Sequence, residues 1–305
     1  MSTDPIASPP ATHTLKVRNP RTGEADFELI VMTGADIEPI AQSMRTAQVE
    51  WKALGVIGRT KVLRAVREAI GNHRDAIITA LEADTGRHRI TTTEVDAVQG
   101  FIDAWAQLAP GLVENHAERP AGGLPKVGVR QRLQPYPLLG AIAPWNFPLL
   151  LSFIDAIPAL FAGCAVLIKP SEVTPRFSVA IERCIATVLV LPDVLGFTRG
   201  DGRAAAALIE HVDVVAFTGS VATGQKVAAA AAAAFIPVFL ELGGKDPVIV
   251  LPGSDLDRAS TSILRASVLA TGQACQSLER IYVHESQHDE FVELVRAKMT
   301  RYAPG

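Results

Sequence analysis

The stretch from Leu138 to Lys169, LLGAIAPWNFPLLLSFIDAIPALFAGCAVLIK, decides the fold. It opens with a short apolar run, turns around Pro144 and Asn146, and continues as a helix-length apolar segment in which Asp155 is the one charge. It breaks at Gly163 and closes on a second apolar run ending at Lys169. A strand that is apolar at every position, rather than at alternate ones, is covered on both faces, as strands of a parallel sheet are. The intervening helix supplies one of the covers. After Pro137 the rhythm repeats: DVVAFT, PVFLEL and DPVIVL are further apolar runs, and RFSVAIERCIATVL, RAAAALIEH and ATGQKVAAAAAAAF are helical stretches among them. The fold expected is α/β, an open and mostly parallel sheet of Rossmann-like type. Ligands of such sheets lie beyond the carboxyl ends of the strands. Polar residues stand there: Asn146, Lys169, Gly219 with Ser220, and Glu241.

Upstream of this core, residues 1 to about 12 read as a flexible tail, polar and rich in proline without the apolar segment of a secretory signal. From Asp36 to about Ala109, apolar positions recur at three- and four-residue spacing, which predicts helices. His116 to Pro135, with Gly122-Gly123, Pro125 and the alternating KVGVRQRLQ, reads as an extended arm or hairpin.

The 305 residues are enough for about two domains, and 48% hydrophobic against 20% charged residues is globular composition rather than disorder. Lys plus Arg (29) nearly balance Asp plus Glu (32), and no basic block is present, which argues against a nucleic-acid partner. No apolar run has the length of a membrane span. Three scattered cysteines, Cys164, Cys184 and Cys275, form neither a disulfide framework nor a thiolate cage for a metal. A cytoplasmic location is expected.

Four features are candidates for chemistry. FTGSVATGQ, Phe217 to Gln225, places Gly219, Ser220 and Gly224 between a strand and a helix, where helix N–H groups can receive a phosphate. It is not a P-loop, because Gln225 displaces the lysine by one position and Val227 stands where a hydroxyl is required. HESQH, His284 to His288, matches the H-E-x-x-H zinc signature, which needs both imidazoles on one helix face. RIYVH instead reads as a strand ending at His284, with Ser286 as the N-cap of the helix beyond; a zinc hydrolase is the remote alternative, and no metal site is assigned. Cys275, in ATGQACQS, is surrounded by small and polar residues, whereas Cys164 and Cys184 sit in apolar runs. Glu241 ends an apolar strand before Gly243-Gly244; desolvation there would raise its pKa towards that of a general base, the competing reading being an ion pair with Lys245.

PWNFP (Pro144 to Pro148), KPSE (Lys169 to Glu172), FTGS (Phe217 to Ser220), ELGGK (Glu241 to Lys245) and GQAC (Gly272 to Cys275) occur together in an order and spacing that resembles the aldehyde dehydrogenase superfamily. The resemblance covers residues 20 to 305. It implies a cofactor-binding domain at 1–115 and 136–242, an oligomerisation arm at 116–135, and the N-terminal part of a catalytic domain at 243–305. Family members continue through a Glu-Phe-Gly-Pro-like segment, so a truncated member that binds nucleotide without turnover is the alternative function.

The resemblance further implies oxidation of an aldehyde to a carboxylic acid through a cysteine thiohemiacetal and thioester, with Cys275 as nucleophile, Asn146 as oxyanion donor and Glu241 as base. The cofactor contacts it implies are Ile142, Pro144, Trp145, Lys169, Ser171, Glu172, Gly200, Phe217, Gly219, Ser220, Gly224, Leu242 and Gly243. Glu172, accepting from the adenosine ribose hydroxyls, would repel a 2′-phosphate and favours NAD over NADP. Partners implied are a small aldehyde, of apolar type because Leu149 to Phe161 contains no arginine, and copies of the chain in a homodimer or homotetramer.

Overall fold

The computed structural model of the chain describes residues 13–113, 119–121 and 124–301. The expected tail at residues 1 to 12 lies outside them. The chain opens with an antiparallel pair, β1 (Thr14–Arg18) and β2 (Ala25–Ile30). Four helices follow where the three- and four-residue spacing predicts them: α1 (Gly34–Ala53), α2 (Gly55–Asn72), α3 (Arg74–Thr85) and α4 (Arg89–Val113). Thr33 and Asp36 cap α1 reciprocally, the Thr33 backbone N–H donating to the Asp36 carboxylate at 2.7 Å. β3 (Arg119–Ala121) and β4 (Leu124–Val129) then pair antiparallel, as a hairpin reading requires. Residues 116–118 and 122–123 of the expected arm lie outside the described residues.

From residue 138 the chain alternates β5 (Leu138–Ile142), α5 (Pro148–Ala162), β6 (Ala165–Lys169), α6 (Arg176–Ile185), α7 (Leu191–Val194), β7 (Leu195–Phe197), α8 (Gly202–Glu210), β8 (Val214–Gly219), α9 (Val221–Ala233) and β9 (Val238–Leu242). The five strands form one parallel sheet in the order β7-β6-β5-β8-β9. Every residue of β5 and β6 is buried, which is the two-sided cover their unbroken apolar runs predict. α1, α8 and α9 pack side by side as one group of covering helices, and α5 packs with α2 and α4 as another. Gly163 ends α5 at φ +105°, a conformation that L side chains rarely adopt. Polar side chains lock the helices to this layer: Trp51 donates to the Leu160 carbonyl at 3.0 Å and buried Arg59 to the Phe161 carbonyl at 3.0 Å.

β10 (Asp246–Val250), α10 (Leu256–Val268), β11 (Leu278–Val283) and α11 (His288–Met299) complete the described chain. DPVIVL, grouped with the other apolar runs by its periodicity, is not part of the large sheet. It pairs in parallel with β11 in a separate two-stranded sheet. Three residues separate β9 from β10, whereas a parallel return within one sheet needs a crossover of about a dozen or more. The second unit closes on a small core of Val250, Leu256, Ile263 and Phe291. A further correction falls at HESQH. Ser286 does not cap the helix; the His284 side chain accepts from the Ser286 N–H over a single 3-10 turn, and α11 begins at His288. His284 thus stands outside the helix. None of the described helices is long and apolar enough to cross a membrane.

Candidate active site

Parallel register brings the strand-end residues to one edge. Ile142 lies opposite both Lys169 and Phe217, and Thr218 lies opposite Glu241. Lys169, 4% exposed, reaches Glu172 at 2.7 Å, while Glu172 itself remains partly open to solvent. Arg176 leaves Glu172 free of it: its guanidinium is spent on the buried Asp84 at 2.7 Å and on Asp26. Ser171 is buried and its hydroxyl accepts from the Val173 N–H at 3.2 Å. The Thr174 hydroxyl donates to the Trp145 carbonyl at 3.2 Å, joining the loop after β6 to the loop after β5, and the Trp145 ring is exposed. Pro144 precedes Trp145 in that second loop.

At the β8–α9 turn, the Ser220 hydroxyl accepts from the Thr223 N–H at 3.2 Å and caps a 13-residue helix. A Cβ on Gly219 would come within 2.5 Å of the Phe217 ring, and one on Gly224 within 2.6 Å of Leu242. Any side chain at either position would displace Phe217 or Leu242 from where it stands. Gly200 has φ +141°, and a Cβ there would meet Ala204 at 2.7 Å and Val31 at 2.9 Å. A buried ammonium beside a half-open carboxylate, next to a capped helix N-terminus with glycine-lined space, is a donor set that fits a dinucleotide's ribose and pyrophosphate.

Cys275 is exposed, and Cys164 and Cys184 are buried. Burial pushes both of those thiols up to about 11, which leaves them poor nucleophiles at neutral pH. The Cys275 loop is anchored to the sheet edge. Asn146 Nδ2 donates to the Gln273 carbonyl at 2.7 Å across 127 residues of sequence. On the other side, a Cβ on Gly244 would stand 3.9 Å from the Cys275 carbonyl oxygen, so ELGGK and GQAC are neighbours, with Gly243 between them and Leu242. The desolvation expected of Glu241 is not observed: β9 is the sheet edge, and Glu241 is exposed. The ion pair proposed with Lys245 is absent too, because Lys245 pairs with Glu279. Glu241 instead faces Asp155, a half-buried carboxyl raised above its ordinary value by burial and, second, by the charge of Glu241.

Two residues beneath this site escape sequence reasoning. Arg87 and Glu94 are 9% and 1% exposed. Glu94 accepts from the Leu149 and Leu150 N–H groups at 3.1 Å each, capping α5 from another helix. Burial pushes its carboxyl up to about 7, while those two bonds and the charge of Arg87 pull the other way. A signal was present: the buried stripe of α4 runs Thr91, Glu94, Val95, Val98, Ile102, and a carboxylate on such a stripe needs a partner.

The fold and this site define a class: an open parallel α/β sheet with a dinucleotide-type edge and an exposed thiol held against it. The aldehyde dehydrogenase family model matches residues 7–305, and the chain belongs to that family. It is similar to the PutA structure from Anabaena variabilis, with 47% identity and a TM-score of 0.93 over 95% of this chain and 62% of that one. A 3,6-anhydro-L-galactose dehydrogenase in complex with NAP matches at 28% identity and TM-score 0.89, covering 95% of this chain and 61% of that one. Betaine aldehyde dehydrogenase from Staphylococcus aureus in complex with NAD+ matches at 26% and 0.88, covering 95% and 58%. The chain thus spans about three fifths of the length of these structures.

Proposed function

We propose that the chain carries the thiol-dependent, NAD-linked oxidation of an aldehyde to a carboxylic acid. The observation that supports this most strongly is the 2.7 Å hydrogen bond from Asn146 Nδ2 to the Gln273 carbonyl, which draws an amide suited to an oxyanion against the loop of the exposed thiol. Cys275, as thiolate, attacks the carbonyl carbon, and the C=O electron pair moves to oxygen. The second N–H of the Asn146 amide and the Cys275 backbone N–H donate to that oxyanion as its charge develops. A bound nicotinamide dinucleotide supplies the acceptor for the hydride lost from the same carbon. Glu241 then takes a proton from water, whose oxygen attacks the thioester on Cys275 and releases the acid. Its exposure at the edge strand gives water a route to it.

Lys169 and Glu172 hold the adenosine ribose in this reading, and the N-terminus of α9 faces the pyrophosphate. Glu172 would set two like charges together against a 2′-phosphate, which favours NAD. Calorimetry should give an NAD affinity at least about tenfold above that for NADP, a 1.4 kcal/mol gap; equal affinities would remove Glu172 as the selector. For the chemistry, Glu241→Gln in the product of the complete reading frame should give a burst of NADH and then a stall, with an acyl adduct on Cys275 by mass spectrometry. Unchanged steady-state turnover would mean that another base deacylates the enzyme.

A further inference from the structure

We propose that Arg87 is a positioning residue for the Cys275 thiol, acting through the two loops that it clasps. The inference rests on the aldehyde-oxidation reading above. Arg87 lies between α3 and α4, and its guanidinium donates to the Asn146 carbonyl from Nη2 and to the Ala270 carbonyl from Nη1 at 3.4 Å. It also lies over the Phe147 ring, 5.4 Å from the centroid. One planar fork therefore holds the loop that carries the oxyanion donor and the loop that carries the thiol. A planar, five-donor group reaches two carbonyls at once, as a point-charge ammonium does not.

The backbone at the far end of the clasp is strained. Ala270 and Thr271 have φ of +50° and +60°, and Gly272 follows at +73°. Non-glycine residues stay in that region only where their surroundings over-determine them, and such places cluster at functional sites. Ala270 is buried, and its carbonyl is also the acceptor for the Gln273 N–H at 3.1 Å, so Arg87 grips the strained turn at its anchor. Buried polar atoms without a hydrogen-bond partner among the described residues gather here as well: Arg87 Nε, Glu94 Oε1 and Asn146 Oδ1. Native structures leave such atoms unpaired seldom, and their gathering marks the clasp as a polar seam in an otherwise apolar layer. Glu94 completes the device by balancing the buried cation while it fixes the first turn of α5, which starts two residues after Asn146.

The test is kinetic and structural together, on the product of the complete reading frame. Arg87→Met should lower kcat and the NADH burst rate at least about tenfold, as small misplacements of reacting groups do, with the KM for NAD held within about twofold. Arg87→Lys, which keeps the charge but not the fork, should recover part of that loss. Amide hydrogen exchange in residues 268–277 should rise in Arg87→Met while β5 and β6 stay protected. A kcat within about twofold of wild type would overturn the proposal. So would a loss shared by NAD affinity and by protection of β5 and β6, which is what a purely structural arginine gives. A wild type that oxidises no aldehyde, with the exchange difference still present, would sink the functional reading and not the clasp.

Discussion

The apolar runs of β5 and β6 and that of β10 look alike in sequence and end in different states. β5 and β6 are buried at every residue, and fully buried side chains such as Phe153 and Leu149 lie against them. β10 is apolar from Pro247 to Val250, and β11 carries Glu279 and Arg280; here Ile249 is 68% exposed and Tyr282 is 55% exposed. Beside them Ile281, Val283, Phe291, Val292, Val295 and Met299 line an open apolar groove of about 710 Å³. An unbroken apolar run specifies a strand; whether both its faces are covered depends on elements distant in sequence, which the run itself does not encode. What joins the two regions at the site is chiefly polar: the Arg87 clasp and the Asn146 to Gln273 bond.

Core truncation should separate the two regions. Phe153→Ala, at a site walled in on all sides, should cost about 3–5 kcal/mol and lower hydrogen-exchange protection throughout β5 and β6. Phe291→Ala, which truncates the small core of the second unit, should also cost about 3–5 kcal/mol, but the loss should stay within residues 246–299. Urea unfolding and exchange on both variants decide it. Equal loss of protection in β5 and β6 would mean that the two regions fold as one unit.

A smaller effect is expected at the seam between them. Glu94 sits at about 7 in the fold against an ordinary 4.5, so the folded state binds the extra proton. Stability from this group is therefore present at low pH and declines as pH rises from about 4.5 through about 7, by on the order of 1–3 kcal/mol. Glu94→Gln keeps an acceptor for the Leu149 and Leu150 N–H groups and should flatten that decline. Unfolding free energies at pH 5 and pH 8 that change by the same amount in both proteins would remove Glu94 as its source.

Much of this was legible beforehand. Continuous apolar runs, the helical spacing of residues 36–109 and the five motifs place the sheet, the helices and the edge where Asn146, Lys169, Ser220 and Glu241 meet. Three kinds of fact were not. β7 has three residues, too few for periodicity to register, and β1 and β2 alternate polar and apolar residues among charges without a continuous apolar run. The exposure of Glu241 depends on the strand order, which places β9 at the edge and which no local pattern contains. Arg87 was hidden by distance, its partners being 59 and 183 residues away.

The central claim is that the chemistry runs through one thiol, Cys275, exposed where the other two are buried. Timed iodoacetamide treatment of the product of the complete reading frame, with each cysteine followed by mass spectrometry, tests it directly. The account predicts that Cys275 is alkylated first and that aldehyde-dependent NADH production falls in step with that modification, one site per chain, while Cys164 and Cys184 remain unmodified. Equal labelling of all three cysteines, with activity surviving complete modification of Cys275, would contradict it.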